Sequence, residues 1–209
     1  MYKVVILILS LVCGVRAGKA VEALPETTVA SSFQLYQELG LRGEVNFPAF
    51  EQALKGFSRY ASGQDRLLVL IEPSTEKRFY ILDLLQKKLL LSTYVAHGRG
   101  SGDNYAVAFS NRPGSYQSSL GFFRTGDTYM GKNGYSLFLD GLEKGINDKA
   151  RERAIVVHGA NYADPAVLKG QQRLGRSLGC PALPPDISKQ VIDTIKGGVL
   201  LYIYGLNKA

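Results

Sequence analysis

Leu67-Leu68-Val69-Leu70-Ile71 opens the part of the chain whose pattern decides the fold. An unbroken apolar run of this length, bounded by polar turns, reads as a buried β-strand. Arg78 to Leu84 and Leu89 to Ala96 repeat the pattern, and Ser136 to Leu139, Ala154 to Val157 and Val199 to Tyr204 are later strand candidates. Asp186 to Lys196 is amphipathic and predicts one helix before the last strand. Strands dominate without the regular helix alternation of a parallel α/β fold. The expectation is therefore a mainly β (α+β) domain, mostly antiparallel, with helical additions. Gly98 to Gly134, rich in Gly, Ser and Asn, reads as a long functional loop system.

Upstream of Leu67 the pattern is helical. Asn46 is a suitable N-cap before Phe47-Pro48, and Phe50, Ala53, Leu54 and Phe57 recur at helical spacing. Ser32 to Leu39 predicts an earlier short helix, and Ser62-Gly63-Gln64 ends the helical region. The first twenty residues have another character. Lys3 precedes an apolar run from Val4 to Val12, and small residues follow, with cleavage expected after Ala17, Ala20 or Ala23. That is the form of a secretory signal peptide, and it places the mature protein in the periplasm or cell envelope. The run is shorter than the roughly 17 residues a membrane span needs, so no integral membrane domain is expected. Cys13 raises a lipoprotein signal as the alternative, but Val12 stands where a small residue is wanted.

Composition narrows the partners. Of 209 residues, 45 % are apolar, enough for a real core. Loss of Lys3, Arg16 and Lys19 with the signal lowers the net charge from +7 to about +4. That suits an anionic polymer and is too little to argue for nucleic acid, for which no motif is present. The same cleavage removes Cys13, so the mature chain has one thiol, Cys180, and no internal disulfide is possible.

Cys180 lies in Gly175-Arg176-Ser177-Leu178-Gly179-Cys180-Pro181, and His158-Gly159 stands 22 residues upstream at the end of a predicted strand. This combination suits a thiolate nucleophile with an imidazole base. Gly179 permits close backbone approach, and the N–H groups of Gly179 and Cys180 are candidate oxyanion donors. Arg176 is a candidate for lowering the thiol pKa. The only other histidine is His97, also followed by Gly, so the base is one of two residues, with His158 the better placed. Gly98-Arg99-Gly100-Ser101-Gly102 lacks the spacing of a phosphate loop. Zinc held by Cys180, His97, His158 and Asp103 is a further option, but no tight ligand pair supports it.

His158-Gly159 followed by Ser177-x-Gly179-Cys180 resembles the signature of the murein L,D-transpeptidases of the YkuD type, in a branch ending in Gly-Cys-Pro. Ala96-His97-Gly98-Arg99, Phe109-Ser110-Asn111, Ser118-Ser119-Leu120-Gly121, Tyr129-x-Gly131-Lys132, Gly134-Tyr135-Ser136-Leu137, and Gly141-Leu142-Glu143 with Asn147-Asp148 are similar to the same branch. The commoner signature has a second His and a polar residue after the Cys, where this chain has Leu178 and Ala182.

The resemblance implies a β-sandwich-like catalytic domain over 63–209, a helical segment over 21–62 and a signal peptide over 1–20. It implies cofactor-free acyl transfer on peptidoglycan stem peptides, with Cys180 as nucleophile and His158 as base. Gly179, Ser177, Arg176 and Gly159 would surround the reacting atoms, and His97, Tyr129 and Tyr135 would contact substrate. A carboxypeptidase using the same thioester and an inactive wall-binding module remain the alternatives.

Overall fold

A computed structural model describes residues 29–62, 65–72 and 77–205; the predicted signal peptide lies outside them. Two helices come first, α1 (Val29–Glu38) and α2 (Phe47–Tyr60). Asn46 caps α2, its side-chain oxygen accepting the Ala49 N–H at 3.4 Å. Strands follow as β1 (Leu67–Ile71), β2 (Phe79–Asp83), β3 (Lys88–Thr93), β4 (Gly121–Gly131), β5 (Gly134–Gly141) and β6 (Val156–Gly159). A short α3 (Leu168–Gln171) precedes β7 (Ala182–Leu183), α4 (Pro185–Ile195) and β8 (Leu200–Ile203).

The eight strands form one sheet in the order β3-β2-β1-β8-β4-β5-β6-β7. Only β1/β8 and β6/β7 pair in parallel; the other neighbours are antiparallel. The apolar runs are continuous because both faces are covered. Leu68, Leu70, Phe122, Leu200 and Tyr202 point into a core with Phe50 and Phe57 of α2. Their alternates Val69, Ile71, Phe123, Leu201 and Ile203 point into a second core with Val191, Ile192 and Ile195 of α4. This second core also gathers Ile81 of β2 and Val157 of β6, strands far apart in the sheet order, so the sheet curls over itself.

The predicted loop system is shorter than expected. Its second part, from Gly121, is the eleven-residue strand β4, which joins the two halves of the sheet between β8 and β5. Phe122, Phe123, Thr125, Thr128 and Tyr129 favour a strand, and ladder bonds on both sides outweigh the local effect of Gly126 and Asp127. The register shifts between Thr125 and Thr128, where the sequence pattern also breaks. Asn147 fixes the start of this strand by donating to the carbonyls of Leu120 and Phe122 at 2.9 and 2.8 Å. Glu143 accepts the Phe122 N–H at 2.7 Å.

Candidate active site

β6 delivers His158 and β7 anchors the segment that carries Cys180. The register pairs His158 with Ala182, two residues beyond the thiol. His158 is buried, and its Nδ1 lies 3.0 Å from the Gly159 carbonyl. A carbonyl oxygen can only accept, so Nδ1 holds the proton and Nε2 presents its lone pair. Burial pulls the imidazole pKa below its ordinary value, with the Gly159 carbonyl opposing, so the ring is neutral near pH 7.

The thiol sits in a tight turn. Ser177 Oγ donates to the Cys180 carbonyl at 2.6 Å and accepts the Gly179 N–H at 3.1 Å. Gly179 has φ of 127°, and a Cβ there would stand 2.9 Å from the Gln117 carbonyl. Glycine is therefore required by both conformation and space. Cys180 Sγ lies 3.6 Å from the Ala154 carbonyl, its hydrogen-bond acceptor among the described residues. Burial raises the thiol pKa, opposed first by the Val156 N–H and then by the Arg153 cation. The thiol and the imidazole are thus both neutral at rest.

The loop from Gly98 to Leu120 forms the other wall. His97 and Arg99 bracket Ser177: Ser177 N–H donates to the His97 carbonyl at 2.9 Å, and Arg99 N–H to the Ser177 carbonyl at 2.8 Å. Gly98 lets the two segments touch, since a Cβ there would be 2.8 Å from Gly179 Cα. Ser118 Oγ accepts from Gly98 N–H at 3.0 Å and donates to the Gly179 carbonyl at 3.2 Å. Arg153 pins the far limb, donating to the Ser110 and Gln117 carbonyls at 2.6 Å each and to Ser119 Oγ.

Several expected placements differ. Arg176 is not brought to the thiol; Asp103 holds its guanidinium at 2.6 Å. The cation acting on Cys180 is Arg153, which the sequence reading missed because it precedes a strand instead of flanking the cysteine. The Gly179 N–H is engaged by Ser177, which leaves the Cys180 N–H as the amide without an acceptor among the described residues. Gly159 contributes its carbonyl. His97 is buried with Nδ1 3.1 Å from the Gly98 carbonyl and a second backbone partner at Asn104, so its ring is engaged by the loop backbone. Burial and the neighbouring Arg78 cation press its pKa down to about 4.

Register places Tyr129, Ser136 and His158 side by side on one face. Tyr129 lies two strands, about 10 Å, from the imidazole and stacks on Phe138 with centroids 4.4 Å apart. Tyr135 is on the opposite face, donating to Asp193 of α4 at 2.8 Å, and it and Cys180 both pack against the second core. Tyr162, also missed, is closer: burial and the Cys180 thiolate raise its phenol pKa to about 12. Leu178 is exposed near Cys180 in sequence, whereas Ala182 is buried in β7. Among the described residues, no three His, Cys, Asp or Glu side chains are grouped to hold a metal ion, and no helix is long and apolar enough to cross a membrane.

No curated protein matches the chain. Three similar solved structures are an L,D-transpeptidase from Mycobacterium smegmatis, the helical cell shape determining protein Pgp2 from Campylobacter jejuni, and L,D-transpeptidase 3 from Mycobacterium tuberculosis in complex with a faropenem-derived adduct. Sequence identities are 14 %, 16 % and 12 %, with TM-scores of 0.41, 0.45 and 0.41. The matches cover 67 %, 69 % and 66 % of this chain and 59 %, 50 % and 60 % of those chains. The profile of the L,D-transpeptidase catalytic domain matches residues 41–204, most of the sequence. The chain therefore belongs to the L,D-transpeptidase catalytic domain family.

Proposed function

We propose that this protein is an exported cysteine L,D-transpeptidase that acts on peptidoglycan stem peptides through a thioester on Cys180. The observation that carries the reading is the state of His158, with Nδ1 bound to the Gly159 carbonyl and Nε2 left as a base, on the strand that pairs beside the cysteine segment. Family membership supplies the reaction class. Export rests on the sequence of residues 1–20 alone.

In this mechanism the thiol leaves the Ala154 carbonyl when substrate enters and passes its proton to His158 Nε2. Sγ attacks the carbonyl carbon at the L-centre of the diaminopimelyl residue, forming a C–S bond and an oxyanion. The Cys180 N–H is the available backbone donor for that charge; such a donor is worth about 3 kcal/mol in other acyl-transfer sites. The C–N bond breaks, and the departing D-alanine amine takes the proton from the imidazolium. An amine of a second stem then attacks the thioester, loses its proton to His158, and releases the thiol as a 3→3 cross-link forms. Purified mature protein incubated with tetrapeptide muropeptides tests the reading. Cross-linked dimers that have lost D-alanine are expected. Tripeptides alone would make the enzyme a carboxypeptidase, and unchanged substrate would reject catalysis.

A further inference from the structure

Behind the His97 segment lies a cavity of about 60 Å³, lined by Arg78, His97, Asp103, Gln172, Arg173 and Gly175 among others. Arg78 is only 6 % exposed. Its Nε donates to the Val95 carbonyl at 2.7 Å, and Nη1 reaches the Asn104 carbonyl at 3.4 Å. No carboxylate pairs with it among the described residues. The two buried acids near it in sequence are engaged elsewhere: Glu72 accepts from the Asn46 N–H and the Tyr80 hydroxyl, and Asp83 from the N–H groups of Leu85 and Gln86. Burial pulls the Arg78 pKa down to about 10, the mark of a guanidinium without a counter-charge. Arg173 likewise has no acid among the described residues; its Nη1 donates to the Leu174 carbonyl at 3.2 Å. The one carboxylate in the lining, Asp103, is held by Arg176. His97 is neutral. The pocket thus presents two guanidinium groups, neither paired with a carboxylate among the described residues, and its one acid, Asp103, is committed to Arg176.

We propose that this pocket binds a free carboxylate of the peptide substrate, held by Arg78 and Arg173. The cavity has room for a group of about four water-sized parts, which a carboxylate fits. A guanidinium fork matches a carboxylate in geometry and charge, and the bond is strongest where water is excluded. Asp103, Asn104, Gln172 and Arg173 also line an open groove of about 590 Å³, a path by which a peptide chain reaches the pocket. The pocket is coupled to the nucleophile turn. His97, one of its walls, accepts the Ser177 N–H, and Gly175, another wall, donates to the Tyr162 carbonyl at 2.7 Å. This proposal rests on the stem-peptide reading for the ligand. The carboxylate is either the C-terminal D-alanine group or the free side-chain carboxyl of the diaminopimelyl residue.

Binding to Cys180→Ala protein tests this without chemistry. Calorimetry would compare three synthetic stem tetrapeptides: the free acid, its C-terminal amide and its side-chain amide. One amide should bind about 10- to 100-fold more weakly than the acid, and which one identifies the carboxylate. Adding Arg78→Met or Arg173→Met should weaken binding of the acid and erase its advantage over that amide. Arg173 is half-buried and its variant keeps the test decisive if the Arg78 variant does not fold. Equal affinity for all three peptides, no binding of any, or full discrimination in the Arg173 variant would overturn the proposal. Acylation of wild-type Cys180 by a β-lactam reports separately on acyl transfer, so failure of the pocket and failure of the enzyme reading are distinguishable.

Discussion

At the scale of the residue, the account turns on which side chain does which task. Cys180→Ala and His158→Ala should each lower turnover about 1,000-fold or more, with the double variant little worse, because the two act as a unit. His97→Gln should retain measurable activity, since its ring is engaged by the backbone at Gly98 and Asn104; an inactive His97 variant beside an active His158 variant would reverse the assignment. Arg153 allows a finer test. Its charge favours the thiolate, against the burial that raises the thiol pKa. In Arg153→Met the apparent thiol pKa, read from iodoacetamide alkylation against pH, should move up, and alkylation near neutral pH should slow several-fold. An unmoved profile would remove Arg153 from the electrostatics of the site. Cys180 and His158 stand out in sequence as candidates for nucleophile and base because a lone thiol and two histidines leave few choices. Arg153 does not, because its link to Cys180 runs through the fold: its partners lie 34 to 43 residues away.

At the scale of the element, the turn from Ser177 to Cys180 and the strand β4 show what local pattern can and cannot reveal. The requirement for glycine at 179 was legible as a need for close approach, and the structure adds the positive φ. Gly179→Ala should cost about 1–3 kcal/mol through backbone strain and abolish turnover by pushing residue 179 off the Gln117 carbonyl and shifting the adjoining cysteine. A thermal melt with an assay of the folded fraction checks this; wild-type activity would show that the turn tolerates distortion. The engagement of the Gly179 N–H by Ser177 could not be foreseen, because the hydroxyl bonds two positions on by a local side-chain choice. β4 was hidden for another reason. Gly121, Gly126 and Gly131 suggest loop in isolation, and only the partners β8 and β5, distant in sequence, make the segment a strand. The helix before the last strand and the capped α2 were legible, since apolar spacing and the Asn46 cap are local properties.

At the scale of the whole molecule, a sheet with a core on each face carries Cys180 and His158 at its β6–β7 margin, beneath a loop fastened by Arg153 and Ser118. Burying His97 there has a thermodynamic consequence. Its pKa in the folded protein is about 4, against about 6.5 when unfolded. The unfolded chain takes a proton first as pH falls, so stability is full above about pH 6.5 and declines until about pH 4, by at most about 3 kcal/mol from this group. Lowering of the His158 pKa acts in the same direction. Urea unfolding from pH 7.5 to 4 should show the decline, flattened in His97→Gln; equal slopes in the two proteins would contradict it. The central claim is that Cys180 is an acyl-accepting nucleophile, and intact-mass measurement of mature protein exposed to a carbapenem tests it most directly. A poised thiol opens the strained ring and keeps the acyl group, so the account predicts one added drug mass, mapped to Cys180 and slowed in His158→Ala. No mass shift with any carbapenem, while iodoacetamide labels Cys180 readily, would contradict it.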